Sequence, residues 1–93
     1  MKWRSARIYR LNLPLLKPIP VKGQRLETRQ ILRIERESQE GIWASADCAP
    51  LPGVHSETIN ECLTMAIAFC SGSPTDRPLP VSLQTTFEIF DWQ

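Results

Sequence analysis

Residues 4–13 alternate apolar and polar side chains, which is the pattern of a β-strand with one buried face. The pattern returns in residues 28–36, where Leu32 and Ile34 alternate with charged side chains, and again in residues 42–47. Residues 38–41, Ser-Gln-Glu-Gly, form a polar turn between the second and third of these segments. The pattern therefore predicts a small antiparallel meander of three strands.

Two proline-rich segments interrupt the strands and helices. Pro14, Pro18 and Pro20 remove backbone donors at three nearby positions, so residues 15–25 are predicted to be an extended loop in which Gly23 can adopt a positive φ. Residues 48–55 cannot form a helix because Pro50, Pro52 and a glycine fall within four positions. We therefore expect two proline-bounded loops.

The remaining residues predict two helices. Ser56 is a suitable N-cap, and Glu57 is well placed for the dipole of the first helix. Residues 71–74, Ser-Gly-Ser-Pro, end that helix. The three-to-four spacing of a buried helical stripe is shown by Ile59, Leu63, Ala66, Ile67 and Cys70.

Ser82 is predicted to cap the second helix. Its apolar face contains Leu83, Phe87 and Phe90, for which the predicted elements offer little packing surface. We therefore expect an exposed apolar patch in the isolated chain, and with it either dimerisation through this helix or disorder after Pro80. The order of elements predicts an α+β fold, a three-stranded antiparallel meander followed by helices.

Length and composition limit the function classes. Ninety-three residues, 42% of them hydrophobic and 23% charged, allow one globular domain, whereas a complete (β/α)₈ barrel needs about 250 residues. A net charge of +1 gives no field that would steer the chain to nucleic acid or to an anionic membrane. The longest apolar stretch, residues 63–70, is too short to span a bilayer. The first residues lack the pattern of a signal peptide, so a cytoplasmic location is expected.

The cysteines predict buried thiols rather than a disulfide framework. The chain has an odd number of cysteines, Cys48, Cys62 and Cys70, and no two of them form a Cys-x-x-Cys motif. On one helix, Cys62 and Cys70 would be separated by about 12 Å of rise, which is beyond the reach of a disulfide.

Few residues suggest catalysis. His55 is the only histidine, and it is interpreted as a polar loop residue next to a helix start rather than as a general base. Asp47 is interpreted as a carboxylate that satisfies loop amides at the end of a strand. No nucleophile elbow, phosphate-binding glycine loop or metal-ligand spacing is present, so the residues alone indicate no active site and no metal site.

The basic and aromatic residues have ordinary interpretations as well. Lys22, Arg25 and Arg29 cluster in and after the first proline loop, where they could recognise an anion, although a solvated loop is the more common explanation of three such charges. Trp43 and Trp92 are expected in a core or an interface, because no basic side chains are expected around them to form a base-stacking platform.

Several segments resemble one enzyme family. Residues 47–53, Asp-Cys-Ala-Pro-Leu-Pro-Gly, followed by Ser-Glu-Thr at 56–58, resemble the start of o-succinylbenzoate synthases, members of the enolase superfamily. Residues 7–10 with 13–14, and residues 23–30, resemble the first strand and the passage from the mobile loop of that family into its second strand. Residues 79–82 with Phe87 resemble the segment that enters the barrel. The resemblance covers nearly the whole chain but only the family's N-terminal capping domain.

The resemblance implies a magnesium-dependent lyase of menaquinone biosynthesis, which dehydrates 2-succinyl-6-hydroxy-2,4-cyclohexadiene-1-carboxylate to 2-succinylbenzoate. The catalytic lysine and the metal-binding carboxylates of the family lie in its C-terminal barrel, so no catalytic residue, metal ligand or cofactor is expected in this chain. The capping domain closes two loops over the barrel mouth, here residues 19–25 and 49–55. The implied substrate-binding residues are Lys22, Gln24, Arg25, Leu51, Pro52 and His55.

These expectations define one main hypothesis and two alternatives. Residues 1–93 would be a single capping domain, with residues 81–93 leading towards a barrel that acts in cis or in trans, and the chain alone would be inactive. The chain could instead be a free-standing binding or interaction module with the same fold. It could also be the cap of a racemase or epimerase of the same superfamily.

Overall fold

The computed structural model describes residues 3–52, 55–72 and 79–91. Its elements are β1 (Trp3–Val21), β2 (Gln24–Ser38), β3 (Trp43–Cys48), α1 (Ile59–Cys70) and α2 (Val81–Asp91). The strands form one sheet in the order β1-β2-β3, and both neighbouring pairs are antiparallel. The α+β prediction, a three-stranded meander followed by helices, is confirmed.

The first predicted loop is instead the outer half of a long hairpin. β1 continues to Val21, and β2 begins at Gln24, directly after a turn in which Lys22 and Gly23 have φ values of 46° and 81°. The strand tolerates three prolines because β1 lies at the sheet edge. On the open side of an edge strand, a missing backbone N–H removes no hydrogen bond to a neighbouring strand. The prolines leave an irregularity in the pairing between Pro14 and Ile19. The prediction of a loop over residues 15–25 was therefore wrong.

The turn between β2 and β3 is confirmed. The Gly41 N–H donates to the Ser38 carbonyl at 3.0 Å, and the Ser38 N–H donates to the Ile42 carbonyl at 2.8 Å. Gly41 has φ 84°, which glycine adopts without steric cost. The register places Leu32 opposite Cys48, so the apolar positions of β2 and β3 share one sheet face.

Both helices pack on that face of the sheet. Its side chains and those of the helices form one buried core: Leu32, Ile34, Ala46, Cys48, Cys62, Ala66, Leu83, Phe87 and Phe90. The terminal helix α2 therefore belongs to the core of this chain. The expectation of an exposed apolar face was wrong, because β3 and α1 provide a packing surface that the sequence pattern did not reveal. The argument for a dimer through this face, or for disorder after Pro80, depended on that exposure and is therefore wrong as well.

The first helix begins two residues later than predicted. Its N-cap is Thr58, whose Oγ1 accepts a hydrogen bond from the Glu61 N–H at 3.1 Å, so Ser56 is not the cap. α1 faces the sheet with Cys62 and Ala66, whereas Ile67, predicted in the stripe, is 52% exposed. The helix ends at Cys70 as predicted, with Ser71 as C-cap, and residues 73–78 lie outside the described part of the chain.

A charged side chain lies at one end of this core. The Arg36 guanidinium lies over several aromatic rings, with Trp3 at 5.0 Å and Phe90 at 5.5 Å from its central carbon to the ring centroids. Phe69 and Phe87 lie at 5.8 and 5.6 Å. Cation–π attraction of this kind holds a cation next to apolar side chains. Arg36 of β2 therefore contacts aromatic side chains from the start of β1, from the end of α1 and from α2.

Candidate functional site

The loop after β3, residues 49–55, is held by two sets of hydrogen bonds. Arg29 of β2 donates from Nη2 to the Ala49 carbonyl at 2.8 Å. His55 closes the loop on itself, because its N–H donates to the Leu51 carbonyl at 2.9 Å and its Nδ1 accepts from the Leu51 N–H at 2.8 Å. This geometry agrees with the interpretation of His55 as a loop residue.

The loop passes from the interior to the surface. Pro50 is buried, Leu51 is half-buried and Pro52 is exposed, while Gly53 and Val54 lie outside the described residues. Pro50 therefore anchors the loop, and Pro52 is the position available to a ligand or a partner.

A cavity of about 550 Å³ lies between this loop and the first half of β2. Pro52 and His55 line it on the loop side, and Arg29 and Gln30 line it on the β2 side. Glu57 also lines it. A concave surface that combines prolines with a histidine, an arginine and a carboxylate can bind a small polar ligand.

The other predicted site residues lie elsewhere. Lys22 is in the turn of the β1–β2 hairpin, and Gln24 and Arg25 follow on β2. All three are exposed and are absent from the lining of this cavity. The structure therefore gathers Leu51, Pro52 and His55 in one loop, and it places Lys22, Gln24 and Arg25 together at the hairpin tip, which we define as residues 19–25. The third residue of the basic cluster, Arg29, is half-buried and bound to the 49–55 loop rather than solvated.

Glu57 connects the loop region to α2. Its Oε1 accepts hydrogen bonds from the Ser82 hydroxyl at 2.7 Å and from the Ser82 N–H at 3.0 Å. These bonds, the hydroxyl bond first, lower the pKa of Glu57 from 4.5 to about 2. Glu57 also borders a second cavity, of about 570 Å³, between α1 and the start of α2. It is therefore the carboxylate between the two cavities.

The contact between Glu57 and Ser82 was not predicted from the sequence. Ser82 was expected to cap α2, but it lies in the first turn of α2 and donates to Glu57, which directly precedes the N-cap of α1. No local signal connects residues so far apart in the chain. The start of α1 did have a signal, because Thr58-x-x-Glu61 is a capping-box sequence.

Two further interpretations need correction. Asp47 does not satisfy loop amides with its side chain, because both carboxylate oxygens accept from Arg33 on the neighbouring strand, at 3.0 and 3.2 Å. This contact raises the pKa of Arg33. Trp43 is 40% exposed, so it is not in the core, and its place in an interface stays a prediction. Arg7 lies over its ring at 4.2 Å, so a basic residue does accompany it. Trp92 lies outside the described residues.

The prediction of buried thiols is confirmed for Cys48 and Cys62 but not for Cys70. Cys48 and Cys62 are buried, Cys70 is half-buried, and none is in a disulfide. Over residues 3–52, 55–72 and 79–91, no cluster of three or more His, Cys, Asp or Glu side chains could hold a metal ion. In the same part of the chain, neither helix is long and apolar enough to cross a membrane.

Comparisons with known proteins agree on one family. A family profile described as "MenC, N-terminal domain" matches residues 3–77. An o-succinylbenzoate synthase of Klebsiella pneumoniae (strain 342) is 29% identical over 90 residues, which cover 92% of this chain and 27% of the relative. One from Edwardsiella ictaluri (strain 93-146) is 32% identical over 84 residues, covering 83% of this chain and 25% of the relative.

A solved structure is similar as well. The o-succinylbenzoate synthase from Thermosynechococcus elongatus BP-1, complexed with magnesium in its active site, matches with a TM-score of 0.54 and 29% identity. The match covers 92% of this chain and 24% of that protein. The chain therefore spans about a quarter of the length of the relatives it matches.

Proposed function

Because the chain belongs to the MenC N-terminal domain family, we propose that it is the capping domain of an o-succinylbenzoate synthase-like enzyme. In this proposal it covers the mouth of a C-terminal barrel, in cis or in trans. The barrel carries out the dehydration of 2-succinyl-6-hydroxy-2,4-cyclohexadiene-1-carboxylate, a step of menaquinone biosynthesis. The observation that carries the proposal is the family match over residues 3–77, together with a likeness that covers only about a quarter of each relative.

The donor set of this chain does not fit a magnesium site. A magnesium ion prefers several oxygen ligands in octahedral geometry. Asp47 is engaged with Arg33, and Glu57 with Ser82, and the described residues bring no three candidate ligands together. The proposal therefore assigns the metal-binding carboxylates and the catalytic lysine to the barrel, and it derives no chemical step from this chain.

The role proposed for this chain is to exclude water and to shape the pocket. The hairpin tip carries Lys22 and Arg25, whose exposed cationic groups suit a substrate that bears carboxylate groups. Gln24 adds a neutral hydrogen-bonding group beside them. The 49–55 loop presents Pro52 next to the cavity, and Leu51 and His55 hold its shape. Closing two such surfaces over a barrel would strengthen electrostatic interactions inside it.

One observation favours the alternative of a free-standing interaction module. α2 packs its Leu83, Phe87 and Phe90 into the core of this chain, so the fold buries its main apolar face without a second domain. A chain that folds alone can act alone. The two functions differ in their effect on turnover, because only a capping domain changes the kinetics of a barrel.

A chimera tests the capping role. This chain would replace the corresponding N-terminal part of the Klebsiella pneumoniae synthase, and kcat and KM would be measured for the dehydration. We expect an active chimera in which the double change Lys22→Ala and Arg25→Ala raises KM on the order of tenfold, since the charges attract an anionic substrate. Lys17→Ala, on the same hairpin but outside the tip, is the matched control.

One result would refute the capping role, and another would refute the proposed contact between the hairpin tip and the substrate. The first is a folded chimera without dehydratase activity. The functions to assay would then be those of an interaction module, or racemisation or epimerisation as in other members of the superfamily. The other is a KM equally affected by the tip variant and by Lys17→Ala, which would show that the tip does not meet the substrate.

A further inference from the structure

Two buried thiols meet where β3, α1 and α2 come together. Cys48 is the last residue of β3, Cys62 lies in the first turn of α1, and Ser82 lies in the first turn of α2. Each sulfur lies 3.6 Å from the Ser82 hydroxyl oxygen. Cys48 is 1% exposed and Cys62 is fully buried, so the pair shares one enclosed site.

Both thiols are shielded from solvent in this site. Burial raises the pKa of Cys62 to about 11, and the neighbouring Cys48 adds to the rise. The thiolate is the reactive form of cysteine, so the raised pKa makes the Cys62 thiol less reactive in the folded chain. The Ser82 hydroxyl covers both sulfurs, and Glu57 holds Ser82. Because Ser82 contacts both sulfurs, a movement at the start of α2 would open this site.

The two cysteines lie on either side of the 49–55 loop in the sequence. Cys48 directly precedes the 49–55 loop, and Cys62 follows it in the next helix. A bond between them would close a covalent ring that contains the whole loop. Constraining a short loop in this way reduces the conformations open to it.

We propose that Cys48 and Cys62 form a reversible disulfide that fixes the base of the 49–55 loop. The inference does not depend on which reaction the full enzyme catalyses, because it concerns only this chain. The co-reactant is a low-molecular-weight disulfide. One cysteine, as thiolate, attacks it and releases one small thiol, and the second then attacks the mixed disulfide and releases the other. Two protein S–H bonds are lost, one S–S bond forms, and the small disulfide is reduced to two thiols.

Cys70 provides an internal control. It is half-buried and therefore more accessible than Cys62, yet it lies eight positions further along the same helix. That spacing corresponds to about 12 Å of rise, which a disulfide with Cα atoms within roughly 7 Å cannot span. Oxidation governed by exposure alone would modify Cys70 first, whereas oxidation governed by juxtaposition would join Cys48 to Cys62.

The test is oxidation of the folded 93-residue chain by oxidised glutathione, followed by blocking of free thiols and peptide mapping by mass spectrometry. We expect an intramolecular link between Cys48 and Cys62, a mass lower by two hydrogen atoms, and full reversal by dithiothreitol. Cys70→Ser is expected to give the same product. Cys48→Ser and Cys62→Ser, checked for folding by circular dichroism, are expected to lose it.

A second measurement addresses the loop. Proteolytic cleavage within residues 49–55 is expected to be several-fold slower in the oxidised than in the reduced Cys70→Ser chain. Links that involve Cys70, glutathione attached without any intramolecular link, or only intermolecular dimers would overturn the pairing. Equal cleavage rates in the two redox states would overturn the proposed effect on the loop. These outcomes are separate from any failure of the chimera.

Discussion

Glu57 accepts two hydrogen bonds from Ser82 on a single carboxylate oxygen, one from the hydroxyl at 2.7 Å and one from the backbone N–H at 3.0 Å. The first turn of a helix has N–H groups without partners inside the helix, and a negative charge there is favourable. Glu57 thus stabilises the N-terminus of α2, although it lies just before α1 in the sequence. This contact ties the segment that follows the 49–55 loop to the last helix.

The Glu57 contact predicts a pH dependence of stability. The folded-state pKa is lowered from 4.5 to about 2, so the stabilisation is fully present above pH 4.5 and is lost as the pH falls through about 2. We therefore expect the gap in unfolding free energy between the wild type and Glu57→Gln to be widest above pH 4.5 and to shrink towards pH 2. Urea denaturation at several pH values measures it.

The matched control is Glu88→Gln, which changes an exposed glutamate on α2 for which no hydrogen-bond partner is seen in the described part of the chain. Its gap from the wild type is expected to stay small throughout. A gap for Glu57→Gln that is constant with pH, or that grows as the pH falls, would contradict the assignment of Glu57 to the N-terminus of α2.

The core position of α2 predicts a large effect of truncating Phe90. Its side chain is fully buried and contacts Trp3 edge-on at 5.4 Å between ring centroids. Phe90→Ala is expected to cost about 3–5 kcal/mol of unfolding free energy, from lost burial and the cavity left behind. Ile67→Ala, at an apolar helical position that is 52% exposed, is expected to cost less than about 1 kcal/mol.

Thermal and urea unfolding would measure both variants. If Phe90→Ala is too unstable to purify, Phe90→Leu gives a smaller graded loss. Similar stabilities for the Phe90 and Ile67 variants would show that α2 is not packed as the structure has it.

The His55 contact predicts a specific change in the 49–55 loop. His55→Ala removes the acceptor of the Leu51 N–H, so hydrogen exchange at that amide is expected to become several-fold faster. His55→Asn is the control, because its side-chain oxygen can accept the same hydrogen bond. Exchange at the Leu51 amide that is no faster in His55→Ala than in the wild type would show that the imidazole nitrogen does not hold the loop.

The strands and turns could be predicted from the sequence because their signals are local. Alternation marked the paired parts of all three strands, and the glycine at position 41 marked the turn. The outer half of the hairpin could not be predicted in the same way. Whether Pro14 or Pro20 breaks a strand depends on whether that strand lies at the sheet edge, and the order of strands is a tertiary property.

The candidate site was predictable only in part for the same reason. Pro50, Pro52 and the following glycine marked the 49–55 loop within a few residues. The contacts that hold the loop and α2, from Arg29 to Ala49 and from Ser82 to Glu57, join residues 20 and 25 positions apart. No periodicity connects such pairs. The helix start at Thr58 does have a local signal, the capping box of Thr58 and Glu61, so the prediction of Ser56 as N-cap was wrong for a reason other than distance along the chain.

The most direct test of the central claim is to measure dehydration by this chain alone and by this chain mixed with a separately produced barrel domain of the Klebsiella pneumoniae synthase. The account predicts no formation of 2-succinylbenzoate by the chain alone, and formation that rises with added chain until the barrel is saturated. Dehydration by the isolated chain would contradict the account. So would a barrel whose activity is the same with and without the folded chain.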